Sequence, residues 1–279
     1  AEAWASAPGA VVEEAGGALV IPGLTDAHIH AMWYALSLRE LNLRDLSRVA
    51  LLDAVAARAR ELPPGAWIIG RGWDQTLWDD GRFLTAAELD RVAPQHLVAL
   101  IAKNAHAWVV NTAALRAAHI TTETPDPLHG KLGRNADGSP DGMLFENATH
   151  LVRAVIPPAT LDEIVEALDG AQEHLLAFGI TSFHDVDGVP AFAAFQELHR
   201  QQRLRLRVVK YVRLESFDAV LDAGLRSGYG DDWLRFGGLK LFADGALGAR
   251  TGAMFAPYEG ESDNVGLLTL EPEQLVEVT

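Results

Sequence analysis

Cysteine is absent from the 279 residues. No disulfide or thiolate metal ligand can form, so any metal site must be built from histidine, carboxylate or modified lysine. Lysine is nearly absent too: Lys103, Lys131, Lys210 and Lys240 stand against nineteen arginines. Solvated positive charge is therefore supplied by arginine, which makes a lysine inside an apolar strand conspicuous. Basic residues as a whole are outnumbered, with a formal net charge of −15. A phosphate backbone or an anionic membrane surface would repel most of such a chain, which argues against nucleic-acid and membrane partners. There is no run of about 18 apolar residues to span a bilayer and no basic-then-apolar leader. The sequence reads as that of a soluble protein, with a cytoplasmic location as the expectation. What is present is apolar material: 49% of residues are hydrophobic, enough to bury one large core or two ordinary ones.

The order of patterns along the chain predicts an α/β fold. An apolar strand "ALVI" closes on Pro22-Gly23, a strong turn signal. The segment "LTDAHIH" then reads as a short strand, followed by the helical periodicity of "LSRVALLDAVAARARELPPG". Residues 24–65 thus look like one strand-helix unit. From 66 to 158 the pattern breaks into short apolar pieces ("WIIG", "LVALIA", "AWVV") separated by turn-rich stretches such as "RNADGSPDG", an insertion or small subdomain. From 159 the rhythm returns: helix "TLDEIVEALDGAQEHLLAF", strand "GITSFHDV", helix "VPAFAAFQELHRQQ", strand "LRLRVVKYV", helix "ESFDAVLDAGLRSG", strand "LRFGGLKLFADG" and helix "EPEQLVEVT". Strands alternating with helices imply parallel strands and right-handed crossovers. An open doubly wound sheet and a closed eightfold barrel both fit, although only four strand-helix units are countable.

Chemistry concentrates at strand ends. In an extended strand, side chains at i and i+2 share a face, so His28 and His30 point the same way with a spacing that suits two ligands of one ion. Their place after Pro22-Gly23, at the C-terminal end of a strand, is where parallel α/β folds build active sites. Asp26 lies on the same face, as a ring-orienting carboxylate or as a turn aspartate. In "RFGGLKLFADG", alternation puts Gly237, Leu239, Leu241 and Ala243 on one face and Phe236, Gly238, Lys240, Phe242 and Asp244 on the other. A lysine in a strand interior must lose its charge, pair, or be chemically changed. A deprotonated lysine can add CO2 to become a carbamate, an oxygen ligand able to bridge two cations, which arginine cannot. The competing reading pairs Lys240 with Asp244. Lys210 in "RVVKYV" is a second candidate lysine, placed nearer a strand end where it would reach solvent. His184 and Asp185 end another strand, in a supporting role. Trp73 in "GRGWDQTLW" and His106 in "KNAHAWVVN" belong to the 66–158 segment, as local packing or substrate contacts.

With "LVIPGLTDAHIH" the chain resembles the amidohydrolase superfamily, whose first barrel strand ends in His-x-His after Pro-Gly. The later segments "GRGWDQTLW", "KNAHAWVVNTAAL", "GITSFHDV" and "GLKLFADGALGART", in one order over nearly the whole chain, narrow the resemblance to the subgroup that includes N-substituted formamide deformylases. The resemblance implies a metal-dependent hydrolase on a (β/α)8 TIM-type barrel, only about the first half of it in this chain. It also implies a small β-sandwich from the chain ends, with residues 1–23 as its N-terminal portion, and an insertion at 66–158 over the barrel mouth. Residues 159–279 continue the barrel through its fourth strand and the next helix. By the same resemblance His28 and His30 are metal ligands, and Lys240 corresponds to a position that in many relatives is a carboxylated, bridging lysine. The cofactor implied is one or two divalent ions, with zinc expected. The family also uses histidines on strands five and six and an aspartate on strand eight that moves protons; these are expected beyond Thr279. The reading is hydrolysis of a C–N bond, of amide or formamide type, in a small-molecule substrate held by Trp73, His106 and Asp244, with a homo-oligomer as a further expectation. The alternatives are a non-catalytic binding protein on the same fold and a related hydrolase of cyclic amides or phosphoesters.

Overall fold

The computed structural model describes residues 11, 14, 16–245, 247, 250–271, 273, 275 and 276. Their strands and helices, in chain order, are β1 (Leu24–Ile29), α1 (Ala31–Ser37), β2 (Leu41–Asn42), α2 (Arg48–Glu61), β3 (Trp67–Trp73), α3 (Ala86–Val92), β4 (Leu97–Ala102), β5 (Ala107–Val110), α4 (Thr112–Ala117), β6 (Gly130–Arg134), β7 (Pro140–Glu146), α5 (Thr149–Arg153), α6 (Leu161–Ala177), β8 (Ile180–Asp185), α7 (Val189–Arg200), β9 (Arg207–Arg213), α8 (Phe217–Asp222) and β10 (Leu234–Lys240). The described residues divide into two compact units: those within 1–30, 172–192 and 198–279 form the first, and those within 31–171 and 193–197 the second.

The first unit carries a four-stranded sheet in the order β1-β8-β9-β10, every neighbour parallel. Parallel order in chain sequence is what the strand-helix rhythm predicts. One face of the sheet is closed: Phe183, Asp185, Val208, Lys210, Val212 and Phe236 are all buried. Pro22-Gly23 leads into β1 for a physical reason. A Cβ on Gly23 would lie 2.7 Å from Cβ of Thr181, so the chain enters the sheet at a separation only glycine allows. The apolar run "ALVI" before it forms no strand, and Leu19, Val20 and Ile21 are exposed. A strand needs a partner for its backbone groups, and among the described residues none pairs with this run. Most of the rest of the expected sandwich segment, and most of the expected helix "EPEQLVEVT", lie outside the described residues.

The turn into β10 is held by a carboxylate. Asp231 accepts the backbone N–H groups of Trp233 at 2.8 Å and Leu234 at 3.0 Å, and His199 Nε2 lies 2.7 Å from its other oxygen. The two backbone donors, Leu234 foremost, followed by His199, hold the carboxyl down at about 2. A depressed acid stabilises the fold above its ordinary pKa and loses that contribution as the pH falls through the folded value. The urea midpoint of the wild type should therefore drop between pH 4 and about 2, and Asp231→Asn should flatten that drop. An equal drop in the variant would show that the turn carries none of it.

The second unit holds a mixed six-stranded sheet, β2-β3-β4-β5-β7-β6, parallel from β2 to β4 and antiparallel beyond. Both of its faces are covered. Val98 and Leu100 of β4 pack with Leu43, Leu51, Val55, Ile68 and Trp73, while Ala99 and Ile101 pack with Trp108, Val110, Leu115, Leu132 and Leu144. That explains why "LVALIA" is apolar throughout instead of alternating. α2, expected as the helix following the first barrel strand, contributes Leu51 and Val55 to this core instead. The second unit starts at Ala31, directly after His30.

Candidate metal centre

β1 carries His28, and His30 directly follows its last residue. Ile29 registers with Asp185 on the buried face of the sheet, so His28 and His30, one residue to either side, take the opposite face. Their rings lie edge to face with centroids 6.0 Å apart. The buried Asp187 carboxylate lies 2.8 Å from His30 Nδ1. Asp187 was not foreseen; Asp26, the carboxylate considered for that purpose, accepts the backbone N–H of His28 at 3.0 Å instead, a local contact within β1.

Asp187 sits just beyond β8 and is gripped through its own backbone. Its N–H donates to Asp185 Oδ2 at 3.1 Å, and its carbonyl accepts from Lys210 Nζ at 2.5 Å. Lys210 also pairs with Asp185 Oδ2 at 2.9 Å and donates to the carbonyl of Tyr211 at 2.6 Å. The side chains of Lys210 and Asp185 are both 0% exposed. Burial pushes the Lys210 ammonium below the usual lysine range, while the adjacent Asp185 pulls it back up. The expectation that Lys210 reaches solvent is thus corrected: it shares the two-residue period of Val208 and Val212, both buried, and so faces the same side. That period was the available signal for Lys210. Two aspartates spaced i, i+2 at a strand end were the signal for Asp187.

Lys240 is the last residue of β10, not an interior one. A bulge between Phe236 and Gly238 breaks the alternation assumed for this strand: Phe236 registers with Lys210, but Gly238 registers with Tyr211 and Lys240 with Arg213. Gly238 takes φ +154°, a conformation open to glycine. Phe236 and Lys240 therefore face opposite sides. Phe236 is buried, and Lys240 shares the face of Tyr211, whose ring lies 5.8 Å from that of His184. This is also the face of His28 and His30. The histidines and Lys240 stand on the two edge strands of the sheet, about 14 Å apart across three strand spacings if the sheet were flat. Among the described residues no three His, Asp or Glu side chains come together as a metal-holding group.

The remaining candidates lie elsewhere. Lys240 Nζ rests 4.8 Å from the centre of the Phe242 ring, and among the ion pairs of the described residues none joins it to Asp244. Asp244 is exposed and accepts the backbone N–H of Ala253 at 3.0 Å. In the second unit, Trp73 is a core residue, 1% exposed, its indole N–H donating to the carbonyl of Leu100 at 2.9 Å. His106, by contrast, is exposed, with Nδ1 2.9 Å from Glu146.

A family model, that of the amidohydrolase family, matches residues 11–279. The chain belongs to the amidohydrolase family. Among its relatives, the Bacillus subtilis protein YtcJ, which bears an amidohydrolase name, is 33% identical over 93% of this chain and 50% of its own length. The N-substituted formamide deformylase of Arthrobacter pascens is 33% identical over 65% of this chain and 35% of its own. A crystal structure of an uncharacterized metal-dependent hydrolase from Pyrococcus furiosus superposes with a TM-score of 0.72 at 29% identity, covering 92% of this chain and 51% of that one. The chain spans about half the length of the first curated relatives it matches. No helix among its described residues is long and apolar enough to cross a membrane.

Proposed function

We propose that this chain provides the first part of the active site of a metal-dependent hydrolase acting on an amide- or formamide-type C–N bond, with His28 and His30 as ligands of a zinc ion. The observation that carries the reading is the contact between His30 Nδ1 and the buried Asp187 carboxylate. Metal-ligating imidazoles are characteristically oriented by such a partner on the second nitrogen, which makes Nε2 the ligating atom and raises its basicity. The donor set present, two imidazoles on one strand face, fits part of a zinc site. Lys240 is the proposed third donor, as a carbamate: it lies on the histidines' face and has no carboxylate partner in Asp244. Reading β1, β8, β9 and β10 as four consecutive strands of a (β/α)8 barrel accounts for how residues on opposite edges of one sheet come to face one centre, since closure curves the sheet inward.

When bound, the ion would supply Lewis acidity, polarising the scissile carbonyl and making water a nucleophile near neutral pH. The chain's own residues do the rest. Asp187 holds the His30 ring in one tautomer, and Tyr211 and His184 line the same face of the sheet. The formamide deformylase among the relatives motivates the choice of bond. The test is zinc measured by elemental analysis in the full-length protein. His28→Ala with His30→Ala should lower bound zinc at least about tenfold; undiminished zinc would overturn the site. Lys240→Arg with normal metal and activity would remove the carbamate while leaving the histidines.

A further inference from the structure

We propose that Lys210 and Asp185, neither of which is on the histidines' face, are positioning residues that set the metal-binding geometry of His30 through Asp187. The inference rests on the metal reading above and extends it to the far side of the sheet.

The argument is one of constraint. A carboxylate orients an imidazole only if its own backbone is fixed, and Asp187 lies outside the strand ladder, two residues past Asp185. Its peptide groups are secured from both directions: the N–H by the Asp185 carboxylate and the C=O by the Lys210 ammonium. The intervening Val186 donates its N–H to the carbonyl of Ile29 at 3.1 Å, tying the turn to the strand that ends next to His30. Lys210 and Asp185 in turn hold each other at 2.9 Å. A lysine ammonium has three donors, and here they meet Asp185 Oδ2 and the carbonyls of Asp187 and Tyr211. Arginine presents a planar fork and cannot send donors in those three directions. A residue whose purpose was only to fill the sheet would need no charge. Here the charge is used to bind a carbonyl that belongs to the residue orienting a ligand.

The test uses the full-length protein and the double variant Asp185→Asn/Lys210→Met, which removes both buried charges together and so leaves neither alone. Two quantities are read: zinc affinity by competition with a chromophoric chelator, and the His30 tautomer in metal-free protein by long-range 1H–15N correlation on histidine-labelled samples. The expected result is a zinc affinity lower by about 10–100-fold, with the His30 ring changing from a single Nδ1–H tautomer to a mixture. A purely structural role would lower the unfolding midpoint but leave the tautomer unchanged. A folded variant with wild-type zinc affinity and an unchanged tautomer would overturn the inference while leaving the metal site standing. If wild-type protein binds no zinc, the metal reading fails, and the tautomer alone decides whether Lys210 and Asp185 position His30. Should the double variant not fold, Lys210→Gln, uncharged yet still a donor, is read in the same two ways.

Discussion

Lys210→Met should destabilise the protein by about 3 kcal/mol, the lower end of the range for breaking a buried ion pair by removing one partner. The loss does not come from packing, since methionine fills nearly the same volume. It comes from Asp185, 0% exposed, which keeps its charge while the cation 2.9 Å away disappears. Two backbone carbonyls, of Asp187 and Tyr211, lose a donor at the same moment. The field of Arg213 reaches this site, which keeps the expected figure at the lower end. Pairing the substitution with Asp185→Asn should recover part of the loss, because a neutral amide costs less to bury than an isolated carboxylate. Chemical denaturation of both variants against wild type is the measurement. If Lys210→Met were the more stable of the two, the ion pair would not be what holds this part of the sheet.

Trp73→Ala should cost about 3–5 kcal/mol, the range for removing a large buried aromatic. The indole lies in the core of the second unit, stacked on Trp78 at 6.1 Å and edge-on to Phe83 at 6.2 Å. Its N–H reaches the carbonyl of Leu100 across the β3-β4 pair. Trp73→Phe keeps much of the burial but loses that bond, so about 1–3 kcal/mol should remain as the cost of the stranded carbonyl and the reduced contact. Thermal unfolding of the two variants separates the terms. A midpoint unchanged in Trp73→Ala would move this residue out of the core and back among candidate substrate contacts.

The contrast between these residues and the histidines shows which parts of the site the sequence makes legible. His28 and His30 are found by alternation within one strand, a property of the local backbone that needs no partner. The positions of β8, β9 and β10 are read from the strand-helix rhythm for the same reason. Asp187 and Lys210 become meaningful only when β8 is laid against β9 in the register that sets Asp185 beside Lys210, and register between strands is a tertiary fact. Lys240 shows how local reading fails when one residue is added: the bulge before Gly238 reverses the alternation, so Phe236 goes to the buried face and Lys240 to the other. Gly237-Gly238 marks the place where such a bulge is possible, but not that one occurs. For Trp73 the sequence leaves local packing and substrate contact both open, and its 1% exposure favours packing. The β3 ladder that carries Trp73 into a core depends on β4, where Trp73 registers with Ala102. The boundary at Ala31 is hidden likewise, since α2 has a periodicity that would suit either unit.

The deep burial of Lys210 also turns it into a reporter. With four lysines and no cysteine in the chain, amine acylation under native conditions has few targets. Lys103 and Lys131 are exposed and Lys240 is half-buried, so a mild acetylating reagent should mark the first two quickly and Lys240 more slowly. Lys210 can react only when the β8-β9 pair parts and releases its ammonium from Asp185. The acetylation half-life of the peptide containing Lys210, followed by mass spectrometry, therefore becomes a clock for the opening of the sheet, read against Lys103 and Lys131 as internal standards in the same molecule. Bound metal, if it draws His30 and Asp187 together, should slow that clock while leaving the labelling of Lys103 and Lys131 untouched.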